Sequence, residues 1–227
     1  MTYAIVPAGG HGSRMGARRP KQYLRLGSAP ILIATLRALG RARSLRGIVV
    51  AVPAAHVTAT RRLLARARVP KILDVVAGGA DRQESVWRGL QRVPDDADVV
   101  IVHDAVRPFI TAELVERVRA AGAGGAATCG MPVRETVKRV AEGAIAGTVE
   151  REGLWLTQTP QAFTRALLWE AHDKARRDGF AGTDDAMLVE RLGMPVAMVP
   201  GLAQNLKITT PEDLRTARAW ARPRRRA

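Results

Sequence analysis

A chain of 227 residues, 47% hydrophobic and 25% charged, has the composition of a folded domain and is long enough to bury a core without covalent staples. Its one cysteine excludes an internal disulfide, and no apolar run approaches the ~18 residues of a membrane span, so a cytoplasmic protein without membrane association is expected. The net charge of +15 admits polyanionic partners, but aromatic residues make up only 4% and no helix-turn-helix or zinc spacing occurs, which favours an anionic small molecule over nucleic acid.

The first apolar run, YAIVP (3–7), predicts a buried strand. It opens into AGGHGSRMGARRPKQYL (8–24), rich in glycine and arginine. Glycines let backbone N–H groups approach phosphate closely, and the basic side chains supply charge. The loop lacks the Gly-Lys-Ser/Thr of a Walker motif. From Gly10 the glycines run G-x-G-x-x-x-G, and AVPAAH after the second strand offers no acid, so a dinucleotide fingerprint also fits poorly. A phosphate cradle with Arg14 and Lys21 as charged arms remains, against a plain Gly-rich turn with solvated basic residues.

Further strands are predicted at GIVVAV (47–52), ILDVVA (72–77), DVVIVHD (98–104), AATCGMPV (126–133) and PVAMVPG (195–201). The segments ILIATLRALGRA, HVTATRRLLARARV, DRQESVWRGLQRV and TAELVERVRAAG place apolar residues near i, i+3, i+4 and predict helices between them. Strand–helix alternation with doubly covered strands implies a mostly parallel α/β sheet, whose ligands bind beyond the carboxyl ends of the strands. Cys129 reads as a small buried hydrophobe.

Those ends carry the informative residues. GGADRQESV (78–86) brings Gly78, Gly79 and Ser85 to a helix start, a weak signal by itself. VHDAVRP (102–108) ends its strand on Asp104, with Arg107 three residues on. Asp104 is either the carboxylate beside a divalent metal riding on phosphates or a cap or ion-pair partner; His103 reads as a core or wall residue rather than a catalyst. GTDDA (182–186) and QNLKITTPED (204–213) hold polar groups between ordered elements, and Lys207 is either poised for an anion or solvated.

Residues 134–158 break the rhythm: ETVKRV and GTVEREGLWL flank AEGAIAG and predict a protruding hairpin with two exposed faces. An isolated hairpin is marginal in water, so a second subunit is its natural support. Helices follow at QAFTRALLWEAHDKARRDG, DDAMLVERLG and TPEDLRTARAWA, the last with Thr210 as N-cap and Pro211 at the first helical position. One domain over 1–227 is expected, with the arm at about 134–158 and a basic tail at 222–227.

Taken together, PAGGHGSRMGARRPKQYLRLG, GG-DRQESV, VHDAVRP, the ETVKR and REGLW arm, TQTPQAF, TDDA and NLKIT–PEDL resemble the 2-C-methyl-D-erythritol 4-phosphate cytidylyltransferases, from Ala4 to about Leu214. The resemblance implies a Rossmann-like nucleotidyltransferase fold, a mixed, mostly parallel sheet flanked by helices. It implies a homodimer joined through the β-arm, with CTP and a polyol phosphate as substrates and Mg²⁺ as cofactor. Ala8, Gly9, Gly10, Gly12 and Ser13 would hold the triphosphate, and Arg14 and Lys21 would stabilise charge at the α-phosphate. Gly79 and Ser85 would read the base, and Asp104 would sit by the metal and the polyol. Thr136 and Arg151 would reach the neighbouring subunit's substrate, while Arg107, Thr159, Thr183 and Lys207 would complete the acceptor pocket. Gly9 stands where many such proteins would carry a second alanine. A ribitol-5-phosphate cytidylyltransferase is the nearest alternative, sharing the loop chemistry and differing in the acceptor pocket.

Overall fold

The structure, a computed structural model, describes residues 1–10 and 20–221. Gly12, Ser13, Arg14 and the basic tail at 222–227 lie outside the described residues.

Strand β1 (Thr2–Pro7) is followed by a 3₁₀ turn at Lys21–Tyr23, the short pair β2 (Arg25–Leu26) and β3 (Ala29–Pro30), and helix α1 (Ile31–Leu39). Then come β4 (Leu45–Val52), α2 (Val57–Arg66), β5 (Ile72–Ala77), α3 (Arg82–Leu90), β6 (Val99–Val102), α4 (Ala112–Gly122) and β7 (Ala126–Pro132). The hairpin β8 (Val137–Ala141) and β9 (Ala144–Val149) precedes β10 (Trp155–Thr164), α5 (Arg165–Arg177), α6 (Asp185–Glu190), β11 (Ala197–Pro200) and α7 (Pro211–Trp220).

The main sheet has the order β11-β7-β10-β6-β1-β4-β5. Strand β1 pairs in parallel with β4 and β6, β4 with β5, and β11 with β7; β10 runs antiparallel to both its neighbours. Alternate residues of β1 enter opposite faces, as the two-residue period of a strand requires. Ala4 and Val6 pack with Leu36, Val50, Leu64 and Leu114, whereas Ile5 packs with Val86, Leu90, Phe163 and Leu168. Helices therefore cover both sides, as the near-continuous apolar runs predict.

Two glycines set how closely helices approach this sheet. A Cβ at Gly89 in α3 would lie 2.6 Å from Ile5 Cγ2, and one at Gly122 in α4 would lie 2.5 Å from the Ala162 carbonyl oxygen. Helix α7 begins as expected: Thr210 accepts from the Asp213 N–H and Asp213 returns the bond in a capping box, with Pro211 in the first turn.

The sequence expectation differs in two places. A helix from Gln161 was expected, but QAFT belongs to β10 and the helix starts at Arg165. Ala162 and Phe163 are fully buried against β6 and β7, so burial between two strands overrides their helical spacing. The hairpin turn is also shorter than expected. Only Glu142 (φ 51°) and Gly143 (φ 80°) make it, a left-handed pair suited to a two-residue turn, while Ala144–Gly147 are already strand and Trp155 onward joins the main sheet.

Candidate functional site

The carboxyl ends of β1, β4, β5 and β6 converge on one edge. There Ala8 N–H donates to Ala51 O (2.7 Å) and Gly78 N–H to Val52 O (2.7 Å), extending neighbouring strands just far enough to start the loops. A cavity of about 390 Å³ opens at this point, lined by Ala8, Gly9, Gly10, Lys21, Gly79 and Ser85, among others. The described part of the opening loop thus meets the loop after β5. Buried Gln22 donates through Nε2 to the Ala8 carbonyl (2.5 Å) and ties the loop's exit to its entry.

Close approach explains the glycines. A Cβ at Gly78 would sit 2.7 Å from Ser85 Oγ, and one at Gly79 would sit 2.3 Å from the Glu84 side chain. At Gly9 a Cβ would lie 3.3 Å from Ser85 Oγ, so an alanine there needs a small shift of the serine. Ser85 is buried; its hydroxyl donates to Asp81 O (2.7 Å) and accepts from Gly79 N–H (3.1 Å). Among the described residues one acceptor lone pair of this hydroxyl is left over.

A smaller cavity of about 210 Å³ adjoins the first, with Arg107, Thr159, Gln161 and Thr183 in its wall. Asp104 stands between the two and is 6% exposed. Lys207 Nζ lies 3.0 Å from Asp104 Oδ2, Arg107 Nε 3.2 Å from the same oxygen, and Arg82 Nε 3.5 Å from Oδ1. Burial alone would raise the Asp104 pKa, but the charges of Lys207, Arg82 and Arg107 outweigh it and hold the carboxyl well below its usual range.

Behind Asp104 a hydrogen-bonded chain fixes the floor. Asp104 N–H donates to Thr159 Oγ1 (3.0 Å), which faces His103 Nδ1 at 3.1 Å, and His103 Nε2 meets the Arg107 carbonyl at 3.2 Å. A carbonyl only accepts, so Nε2 carries the proton and Nδ1 accepts from Thr159. His103 is fully buried, and burial holds its pKa down at about 4. It is a neutral core residue behind the site, outside the lining of both cavities, which is the core alternative of the sequence reading, with partners its sequence neighbourhood did not reveal. Asn205, also buried, accepts from Arg107 Nη1 through its carbonyl (2.8 Å) and donates through Nδ2 to Thr159 O (2.8 Å), anchoring the segment that carries Lys207.

Thr136 and Arg151 stay out of both cavities. Both are exposed on the arm, where Arg151 Nη1 donates to the Arg134 carbonyl. Val140, Ile145, Trp155 and Leu156 are exposed nearby, an apolar surface unusual for a free hairpin.

The donor set does not fit a metal ion held by the chain. Among the described residues no group of three or more His, Cys, Asp or Glu converges. Asp104 offers one carboxylate, with both oxygens already facing cations. A divalent ion here needs ligands brought by a substrate.

A family model described as IspD, 2-C-methyl-D-erythritol 4-phosphate cytidylyltransferase, matches residues 2–222. The chain belongs to this family. It is 46% identical over 220 residues to the 2-C-methyl-D-erythritol 4-phosphate cytidylyltransferase of Syntrophus aciditrophicus, covering 96% of this chain and 94% of the relative. The crystal structure of the Thermus thermophilus 2-C-methyl-D-erythritol 4-phosphate cytidylyltransferase superposes with a TM-score of 0.79 at 41% identity, covering 97% and 98% of the two chains. The Anaerococcus prevotii 4-diphosphocytidyl-2C-methyl-D-erythritol synthase reaches 0.84 at 29%, covering 96% and 95%. The seven-stranded sheet is thus the α/β nucleotidyltransferase fold of this cytidylyltransferase family.

In this family member the residues that sequence reasoning missed are Arg82, Gln22, Gln161 and Asn205. Arg82 lines both cavities. Its only sequence signal is its place in the first turn after a strand's carboxyl end, inside a charged run that also reads as a solvated helix start. The three amides are buried and hydrogen-bonded, which no charge or periodicity pattern announces.

Proposed function

We propose that this chain transfers the cytidylyl group of CTP to 2-C-methyl-D-erythritol 4-phosphate, giving 4-diphosphocytidyl-2-C-methyl-D-erythritol and pyrophosphate, in isoprenoid precursor biosynthesis. The observation that carries the reading is a pair of adjoining cavities on a nucleotidyltransferase sheet, one rimmed by glycines and Lys21, the other by Arg107 and Lys207, meeting at Asp104. The larger takes CTP and the smaller takes the acceptor. An oxygen of the acceptor phosphate forms a bond to the α-phosphorus. The bridging bond from that phosphorus to the β-phosphate oxygen breaks, and pyrophosphate leaves with the electron pair. A phosphate monoester is already a nucleophile, so no general base is needed. The work is to bring two polyanions together and to stabilise charge at the α-phosphorus.

In this reading Ala8, Gly9, Gly10, Gly12 and Ser13 cradle the triphosphate, and Arg14 and Lys21 bind the α-phosphate. Gly79 and Ser85 read cytosine. Asp104, Arg107, Thr159, Thr183 and Lys207 hold the acceptor. Mg²⁺ would come with the nucleotide and supply charge neutralisation on its phosphates, and Asp104 is the carboxylate that would face it. The exposed apolar arm supports a homodimer in which Thr136 and Arg151 serve the partner's site, the remainder of 1–227 forming one catalytic domain. No helix among the described residues is long and apolar enough to cross a membrane, and a cytoplasmic enzyme is in keeping with that. The test is ³¹P NMR of a reaction containing CTP, Mg²⁺ and methylerythritol 4-phosphate. Two mutually coupled diphosphate signals appearing with pyrophosphate are expected. CDP forming with inorganic phosphate, and no pyrophosphate, would contradict attack at the α-phosphorus.

A further inference from the structure

Three residues, Arg82, Asp104 and Lys207, line both cavities. Two of them belong to the reading above; Arg82 does not. It is the first residue of α3, directly after the N-cap Asp81. Its Nη1 lies 2.7 Å from Asp185 Oδ2 and its Nε 3.5 Å from Asp104 Oδ1, so one guanidinium bridges two buried carboxylates. Its Nη2 is buried with no hydrogen-bond partner among the described residues. Asp185 is itself immobilised: Oδ1 meets His172 Nε2 at 2.9 Å, and its backbone N–H donates to Gln161 Oε1 at 3.2 Å.

The three cations on Asp104 differ in freedom. Arg82 is tied also to Asp185, and Arg107 also to the Asn205 carbonyl. Lys207 is 43% exposed, on a flexible stem, with its ammonium at the mouth of both cavities. A phosphate entering the smaller cavity competes with Asp104 for Lys207. If Lys207 turns to the phosphate, Asp104 must keep enough counter-charge to stay a buried anion, because an uncompensated buried carboxylate is costly.

We propose that Arg82, pinned by Asp185, is a positioning residue for the acceptor: it remains as the fixed counter-ion of Asp104 and so frees Lys207 to bind the acceptor phosphate. The inference rests on the reading of the smaller cavity as the acceptor site. Without the Arg82 charge, Asp104 holds Lys207 more tightly and acceptor binding weakens more than nucleotide binding, because the ion pairs of Arg82 run to Asp104 and Asp185 although its side chain also lines the larger cavity.

The experiment is steady-state kinetics, varying CTP and acceptor separately, for wild type, Arg82→Gln, Lys207→Gln and the double variant. Loss of one charge-assisted contact predicts a KM for the acceptor raised roughly tenfold in Arg82→Gln, with the KM for CTP within about twofold. Both substitutions disable one device, so the double variant should resemble the worse single one rather than show their product, about a hundredfold. A merely structural Arg82 would raise both KM values alike or give a multiplicative double variant, and either result overturns the inference. If Arg82→Gln does not fold, Arg82→Lys replaces it in the same cycle; a smaller rise confined to the acceptor KM is expected, and equal rises in both KM values again overturn the inference. A wild-type chain inactive with CTP and acceptor would overturn the function reading and this inference with it. An active wild type with unselective variants overturns the inference alone.

Discussion

His103 gives the structure a pH-dependent stability whose sign and size follow from its surroundings. The ring is fully buried, accepts from Thr159 at Nδ1 and donates from Nε2 to the Arg107 carbonyl. Protonating Nδ1 would remove the acceptor of the Thr159 hydroxyl proton and put a charge on a fully buried ring. Burial therefore lowers its pKa from 6.5 to about 4, although the Asp104 charge pulls the other way. Between those values the unfolded chain binds a proton that the folded chain does not. Stability is then complete above pH 6.5, declines as pH falls, and has lost this contribution by pH 4. At 1.36 kcal/mol per pKa unit the loss is on the order of 3 kcal/mol. Asp104 and Asp185, whose pKa values are depressed, lose their contributions only as pH falls below the ordinary carboxylate value, outside this window. The assay is urea unfolding of wild type and His103→Gln from pH 7 to pH 4, compared as a difference. A wild-type stability falling more steeply by about 3 kcal/mol is expected. Parallel curves between pH 6.5 and 4 would refute the buried neutral histidine.

Three further outcomes are expected. Lys21→Ala should lower turnover by about 10²–10³-fold, by analogy with loss of a transition-state donor, with an unchanged circular dichroism spectrum; turnover within a few-fold of wild type would remove Lys21 from the α-phosphate. Gly122→Ala should lower stability by roughly 1–3 kcal/mol, because its Cβ would press on the Ala162 carbonyl at 2.5 Å; an unchanged melting temperature would mean that α4 retreats freely from β10. Under the proposed homodimer, mixing the Arg14→Ala and Arg151→Ala proteins should recover activity through hybrid sites, and no recovery after mixing would count against an arm that acts on the partner's substrate.

Much of the sheet was legible because β1, β4, β5, β6, β7 and β11 are apolar runs ended by glycine, proline or charge. Strand β10 was not, because its exposed start from Trp155 reads as part of the hairpin arm and QAFT, at its buried end, runs into a helix of matching spacing. Only pairing to β6 and β7 assigns those four residues to the sheet. The site shows the same division. Asp104, Arg107 and Lys207 announce themselves as charges at the ends of apolar runs, and the structure brings them within 3.2 Å of one another's partner atoms. The Arg82–Asp185–His172 connection joins α3 to the helices α5 and α6 far along the chain from it, and nothing local distinguishes its members from surface charge. Thr136 and Arg151 were readable only as parts of a motif, since a single chain gives them no cavity to line.

Pyrophosphate release with CTP and Mg²⁺, offering methylerythritol 4-phosphate and ribitol 5-phosphate in parallel, tests the central claim most directly. The account predicts strong preference for methylerythritol 4-phosphate. Preference for ribitol 5-phosphate would keep the nucleotide chemistry and contradict the acceptor assignment, and silence with both would contradict cytidylyl transfer itself.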